Sequence, residues 1–331
     1  MVRVGINGFG RIGRAFFRAA YNDPDIDIVA INSRTGPEKM YFLLQHDTVY
    51  GDIGVKVGYT KEELIVNNKR IKFTTETDPT KIPWKRLGVD VVIESTGIFD
   101  ELESARKHLI GGAKKVLISA PSKTAEFDIV YGVNNKLYDK ERHNVISNES
   151  CTTNCLAPLV KVLNDKYGIE TGFMVTVHAA TASQSVVDDS PKEKDIRRAR
   201  AVMNNIIPTT TGATDAVVRV IPEMRNKLHG TAIRVPVSDG SLVSFAVNLK
   251  KDVTSEEINN LFLEKSKKEF KGIIEYTDLP LVSSDIVGNP HSAIVDSLLT
   301  RVLEKRLVHI FAWYDNEFGY VSRLKDVCKI L

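Results

Sequence analysis

Apolar residues fall in two rhythms along the chain. Early on they form short, nearly unbroken β-branched runs: VRVGIN (2–7), IDIVAIN (26–32), VDVVIEST (89–96) and KKVLISAP (114–121). Between them lie GRIGRAFFRAAYN (10–22) and DELESARKHLIGGA (100–113), with apolar positions three and four apart. Strands that are apolar on both faces, separated by amphipathic helices, predict a doubly wound parallel sheet covered on both sides. DIVYGVN (128–134) and NVISNES (144–150) complete that pattern as two further strands. Beyond residue 151 the rhythm changes. TTNCLAPLVKVLNDKYG (152–168) predicts a helix stopped by Gly168. Longer alternating runs, ETGFMVTVHAATA (170–182), HGTAIRVPVSDGSLVSFAVNLKK (229–251) and RLVHIFAWYDNE (306–317), predict a mixed, mostly antiparallel sheet. TSEEINNLFLEKSKKEF (254–270) predicts a helix capped by Thr254 or Ser255, and YVSRLKDVCKIL (320–331) a closing helix.

The fold class expected is therefore α/β: a doubly wound domain joined to an α+β domain. With 331 residues the chain exceeds what one hydrophobic core of about 250–300 residues accommodates. The boundary falls near residue 150, where the texture changes. No apolar run approaches the roughly 18 residues of a membrane span, and MVRVGINGFG has no leader-like segment. Three cysteines are too few for a disulfide framework, which points to a reducing, cytoplasmic setting. A net charge of +3 suits small phosphorylated molecules better than nucleic acid, which calls for a concentrated basic stripe.

Gly8, Gly10 and Gly13 form G-x-G-x-x-G between the first strand and the first helix. The first glycine permits the tight turn, the second lets backbone approach a pyrophosphate, and the third lets helix and strand pack closely. The second strand of such a unit ordinarily ends in an acid that holds the ribose 2′-OH. Here it ends in Asn32, nineteen residues beyond Gly13, followed by Ser33 and Arg34. Asn does not repel a 2′-phosphate, Ser33 can donate to it and Arg34 can pair with it. The expected cofactor is NADP or NAD, leaning to NADP.

Cys151 stands where a helix begins, among Ser150, Thr152 and Thr153. A helix start favours thiolate through its macrodipole and its unpaired N–H groups. His178 ends the apolar strand that follows the cysteine helix and is the expected base. Cys155, one turn on, and Cys328, in the last helix, are expected in cores. The C-x-x-x-C spacing lacks a second ligand pair, so no metal site is expected.

SCTTNCLAP, INGFGRIGR, RRARA…IIPTTTGA, IRVPV and WYDNEFGY, in order along the whole chain, resemble phosphorylating glyceraldehyde-3-phosphate dehydrogenase. The resemblance implies a homotetramer with a Rossmann NAD(P)-binding domain, here 1–150 with 316–331, and a catalytic domain, 151–315. It implies the reversible step of glycolysis and gluconeogenesis that takes glyceraldehyde 3-phosphate and inorganic phosphate to 1,3-bisphosphoglycerate through a cysteine thioester. Cys151 matches the nucleophile and His178 the base. Ser150, Thr152, Thr181, Arg198, Thr211, Gly212 and Arg234 match phosphate-binding positions. Hydroxyls and two guanidiniums suit two anion pockets, and a charge within the apolar run TAIRVPV needs a partner. Asn316 matches the residue that holds the nicotinamide carboxamide, with Tyr320 nearby. Arg11, Ile12, Thr96, Gly97 and Ser119 match other cofactor contacts.

The chain departs from the family in two places. Glu149 stands where the family usually has Ala. NAD-dependent members usually carry Leu-Pro after the position of Asp188; here Asp189-Ser190 follows, then a short insertion. Ser190 resembles the NADP-using members and leans the same way as Asn32. The segment 180–205 is expected to pack near a neighbouring subunit's cofactor site. The alternatives are erythrose-4-phosphate dehydrogenase, against which PTTTGA argues, and a non-catalytic nucleotide- or RNA-binding protein, against which Cys151 and His178 argue.

Overall fold

The computed structural model describes residues 1–190 and 195–331. The chain divides into two compact units. The first comprises Met1–Tyr131, Asn135–Ser150 and Val321–Leu331; the second comprises Gly132–Asn134 and Cys151–Tyr320. The closing helix Phe318–Cys328 thus begins in one and ends in the other.

Seven parallel strands make up most of the first unit's nine-stranded sheet, in the spatial order Phe127–Asp128, Val145–Ser147, Lys115–Ile118, Val91–Glu94, Val2–Asn7, Ile26–Asn32 and Lys69–Thr74. Glu63–Val66 and Val57–Thr60 add an antiparallel edge. Val91–Glu94 is buried at every position, which is why its sequence shows no alternation. The chain winds outward from Val2–Asn7 in both directions, so the topological switch lies between Val2–Asn7 and Val91–Glu94. Ligands of open α/β sheets bind at the carboxyl ends of such strands.

In the second unit seven strands run in the order Ile207–Thr210, Leu228–Arg234, Ile169–His178, Ser241–Leu249, Leu307–Tyr314, Ala293–Leu303 and Ile274–Thr277. Two pairings are parallel and the other four antiparallel. Ser241–Leu249 alternates between buried positions and half-buried or exposed ones, as one-sided packing requires. Helix Cys151–Tyr167 is buried along most of its length and stops where Gly168 takes φ +71°, its N–H returning to Asn164 O at 3.0 Å. Thr254 caps Ser255–Lys267 in a reciprocal box with Glu257.

Two expectations fail locally, and two elements went unread. The run 100–113 is not one helix but two four-residue helices, Leu102–Ala105 and Lys107–Ile110, split at Arg106. In 128–134 only Asp128 belongs to a strand; Gly132 at φ +86° turns the backbone away. Helix Ala213–Val220 and strand Ala293–Leu303 had no separate sequence reading.

Candidate functional site

The chemistry of the second unit starts from strand register. His178 is the last residue of Ile169–His178 and is directly paired with Arg234, the last of Leu228–Arg234. Cys151 opens its helix. Its Sγ lies 3.3 Å from His178 Nε2, although 27 residues separate them. Tyr314 sets this spacing. Its hydroxyl is 2.9 Å from Thr152 Oγ1 at the helix start and 2.8 Å from Thr176 Oγ1 on the strand. Thr176 shares a strand face with His178, two residues on, so one buried phenol ties the nucleophile's helix to the base's strand.

His178 Nδ1 lies 2.8 Å from Ala179 O and 2.6 Å from Arg234 Nη1, which also donates to Ala179 O at 3.1 Å. Ala179 O calls for a proton on Nδ1, whereas Arg234, which only donates, calls for a bare Nδ1; in the Nδ1-protonated tautomer Nε2 is left to accept from the thiol. Burial first, and Arg234 second, push the imidazole down to about 3. Burial pushes the Cys151 thiol up to about 11, against the pull of Arg234 and of hydrogen bonds from Thr152. The helix start was expected to favour thiolate; burial acts against it and favours the neutral form of both groups. Cys155 is fully buried and pushed well above the ordinary thiol value by burial, and Cys328 is raised to about 12.

Ser241 had no sequence signal. It is fully buried, accepts from Ala179 N at 3.0 Å and donates to Asn316 Oδ1 at 2.6 Å. That bond turns the oxygen of the Asn316 amide toward Ser241. Only strand pairing brings Ser241 there, opposite Tyr314. Tyr320 is buried in the same unit.

The other expected anion ligands are spread out. Arg198 Nε donates to Thr209 Oγ1 at 2.8 Å and Nη2 to Thr210 O at 3.2 Å. Thr211 accepts from Ala213 N at 3.2 Å, and Gly212 is the N-cap of Ala213–Val220 with no side-chain cap. Ile207 pairs with Arg234 but Thr210 pairs with Thr231, so Thr210 lies about 10 Å along the sheet from Arg234, with Thr211 beyond it. Thr181 Oγ1 bonds Ser183 and Gln184. Ser190 is exposed, its N–H on its neighbour Asp189, and residues 191–194 of that segment lie outside the described residues. Ser150 is half-buried. Glu149 is fully buried and holds φ +58°.

In the first unit, a cleft of about 420 Å³ opens at the switch point, lined among others by Asn7, Gly8, Gly10, Asn32, Ser33, Arg34 and Thr96. Gly8 has φ +93°, and a Cβ there would meet Ser95 and Thr96 backbone at 2.7 Å. A Cβ on Gly13 would collide with Gly8 O, whereas Gly10 faces open space. Helix Arg11–Ala20 has no side-chain cap and no acid in its first turn, leaving its N–H groups for an anion. These features fit a dinucleotide. Arg11 is engaged by Asp47 at 2.6 Å. Ile12 is half-buried, Gly97 follows at φ +68° and Ser119 N bonds Glu94 O at 2.9 Å.

Beneath the cleft lies a buried polar chain. Asn7 Nδ2 donates to Glu94 at 2.6 Å, and Glu94 also receives Thr96 N at 2.7 Å and faces His108 Nε2 at 2.9 Å. Trp84 donates to His108 Nδ1 at 3.0 Å; because indole only donates, His108 carries its proton on Nε2, toward Glu94. The Asn32 amide is used up inward. Its Nδ2 donates to Asn7 Oδ1 at 2.7 Å and Glu76 O at 2.9 Å, while its Oδ1 accepts from Thr74 Oγ1 at 2.8 Å and Glu76 N at 2.9 Å.

A dinucleotide cleft and a thiol poised against an imidazole define a nicotinamide-dependent dehydrogenase that works through a cysteine. Comparison with known proteins narrows the class. Residues 2–102 match the family profile "Glyceraldehyde 3-phosphate dehydrogenase, NAD binding domain", and residues 150–316 the profile "Glyceraldehyde 3-phosphate dehydrogenase, C-terminal domain". The chain belongs to the glyceraldehyde 3-phosphate dehydrogenase family. It is 49% identical over 326 residues to glyceraldehyde-3-phosphate dehydrogenase 1 of Bacillus subtilis, covering 98% of this chain and 97% of that one. It is 50% identical over 328 residues to the Streptomyces coelicolor glyceraldehyde-3-phosphate dehydrogenase, with 98% and 97% covered. Identity to the Geobacillus stearothermophilus enzyme of that name is 48% over 326 residues, again with 98% and 97% covered. The erythrose-4-phosphate and RNA-binding alternatives gain no support from these relatives.

Proposed function

We propose that this chain oxidises glyceraldehyde 3-phosphate and captures the product with inorganic phosphate, reversibly, using Cys151 as nucleophile and His178 as base. The observation that carries this is the 3.3 Å approach of Cys151 Sγ to His178 Nε2. His178 takes the thiol proton as sulfur adds to the aldehyde carbon, and returns a proton to the carbonyl oxygen, giving a hemithioacetal. A bound oxidised nicotinamide supplies the hydride acceptor that makes this a thioester. His178 takes the hydroxyl proton at that stage. A phosphate oxygen then attacks the thioester carbon, and the acyl phosphate leaves as Cys151 is regenerated. Arg234, Thr181, Arg198, Ser150, Thr152, Thr211 and Gly212 are assigned to the two anions, and Asn316 to the carboxamide. Aldehyde-dependent formation of reduced nicotinamide, measured with and without phosphate, tests the reading: turnover independent of phosphate overturns it.

The glycine loop, Arg11, Ile12, Thr96, Gly97 and Ser119 hold the cofactor in this reading, and NADP is used at least as well as NAD. The support is Arg34, exposed on the cleft lining, with Ser33 beside it and no carboxylate at position 32. Ser190 is assigned to the same 2′-phosphate from a neighbouring subunit. Arg34→Ala is the direct test; it should weaken NADP and nearly spare NAD. Asn32→Asp, which should shift the balance toward NAD, also removes the amide that donates to Asn7 and Glu76.

A homotetramer is proposed from the exposed apolar side chains of the segment 180–206: Val186 is 71% exposed, Val187 70% and Ile206 70%, more than an isolated surface loop needs. Sedimentation at micromolar concentration decides it, and a monomer removes it. No described helix is long and apolar enough to cross a membrane; a cytoplasmic location is proposed from the three free cysteines.

A further inference from the structure

Two opposite charges line the ribose edge of the dinucleotide cleft. Arg34 and Glu76 are both exposed and both on its lining, and no ion pair joins them among the described residues. They arrive there differently. Arg34 follows the strand Ile26–Asn32. Glu76 follows the neighbouring strand Lys69–Thr74, which is parallel to it with Asn32 opposite Thr74. Both carboxyl ends therefore open on the same cleft.

Asn32 fixes Glu76 in place. Its amide grips the Glu76 peptide groups from both sides, accepting from Glu76 N and donating to Glu76 O, each at 2.9 Å. Thr74 and Asn7 hold the same amide in that orientation. Asn32 thus has no hydrogen-bonding capacity left for a ribose; it spends that capacity on the segment that carries Glu76.

We propose that Glu76 is a specificity-determining residue: its carboxylate replaces, from the adjacent strand, the acid that Asn32 lacks. It accepts from a ribose 2′-hydroxyl and repels a 2′-phosphate, opposing Arg34, so the balance of the two charges sets the choice between NAD and NADP. This rests on the reading that the cleft takes the adenine ribose of a nicotinamide dinucleotide. It adds a brake on the NADP preference argued above.

The test is direct binding, with Kd for NAD and for NADP measured by calorimetry on the full-length protein, which separates it from turnover. Glu76→Gln keeps the shape and removes the charge. It should shift the NADP-to-NAD affinity ratio toward NADP by roughly fivefold to tenfold, less at high salt. Glu76→Lys should move it further the same way, and Arg34→Ala should move it back. An unchanged ratio in both Glu76 variants overturns the proposal, as does equal weakening of both cofactors, which would make Glu76 merely structural. If the unaltered protein binds neither dinucleotide, the cleft reading itself fails and the proposal with it. If it binds both and only the ratio is unmoved, the cleft reading stands and Glu76 alone is rejected.

Discussion

The thiol site and the cleft place their polar groups by opposite means. At the thiol site side chains do the chemistry, and burial perturbs them: an imidazole held down near 3 and a thiol held up near 11, each tunable by one guanidinium. In the cleft the glycine turn presents backbone, Arg34 and Glu76 stand exposed at its edge, and the buried side chains below form a hydrogen-bonded chain. Desolvation is turned into reactivity in one region and offset by hydrogen bonds in the other. Single side-chain changes should therefore act steeply on the first, whereas in the second they should shift the choice between cofactors and only changes that move backbone should weaken both.

The sharpest way to break that contrast is to remove the nucleophile. Cys151→Ser should lower turnover by about 10⁴-fold or more and leave dinucleotide Kd unchanged. His178→Asn should cost about 10²–10⁴-fold and slow alkylation of Cys151 at neutral pH. In the unaltered protein Cys151, half-buried, should alkylate well ahead of Cys155 and Cys328, both buried. Equal rates for the three would mean that neither its exposure nor the neighbouring His178 base sets Cys151 apart.

Arg234 acts on two fronts. Charge-assisted bonds contribute roughly 1.5–3 kcal/mol, so Arg234→Ala should cost about one to two decades in the response to aldehyde phosphate or free phosphate. It should also move the acid limb of the pH–rate profile to higher pH, because the guanidinium lowers the His178 pKa. Normal kinetics for both anions, with an unmoved profile, would remove Arg234 from the site.

A backbone change tests the cleft. Gly8→Ala puts a Cβ against Ser95 and Thr96 backbone at φ +93°. Strain of about 1–3 kcal/mol should raise Kd for both dinucleotides by about tenfold, with no change in Cys151 alkylation. Parallel loss of both would show that the regions are not independent.

These contrasts also explain what was legible in the sequence. The parallel strands were, because burial on both faces writes an unbroken apolar run. Gly8 and Gly13 were, because their positions demand a missing side chain. Cys151 and His178 stood out as a polar helix start and a strand-end imidazole. Ser241, Tyr314, Glu76 and the Asn7–Asn32–Glu94 chain were silent, since their roles come from strand register across 25 to 162 residues of separation, which one-dimensional patterns do not encode. Burial of the thiol was also silent: a helix start carries a known electrostatic sign, but desolvation depends on what packs around it.

The last effect is on stability and leaves turnover and binding aside. Burial holds His178 at about 3 against an ordinary 6.5. Above about pH 6.5 the ring is neutral in both folded and unfolded chains, and its contribution to stability is complete. As pH falls from 6.5 toward 3, the unfolded chain takes up a proton that the folded chain refuses, so stability declines by up to about 1.4 kcal/mol per pH unit. Cys151 works on the opposite side: raised from 9.0 to about 11, it lowers stability as pH climbs through that window. Denaturant unfolding at several pH values should show an acid slope that is shallower in His178→Asn by about one proton. An identical slope in the two proteins would mean that His178 takes up its proton as readily folded as unfolded, and the perturbed-imidazole side of the contrast would fall.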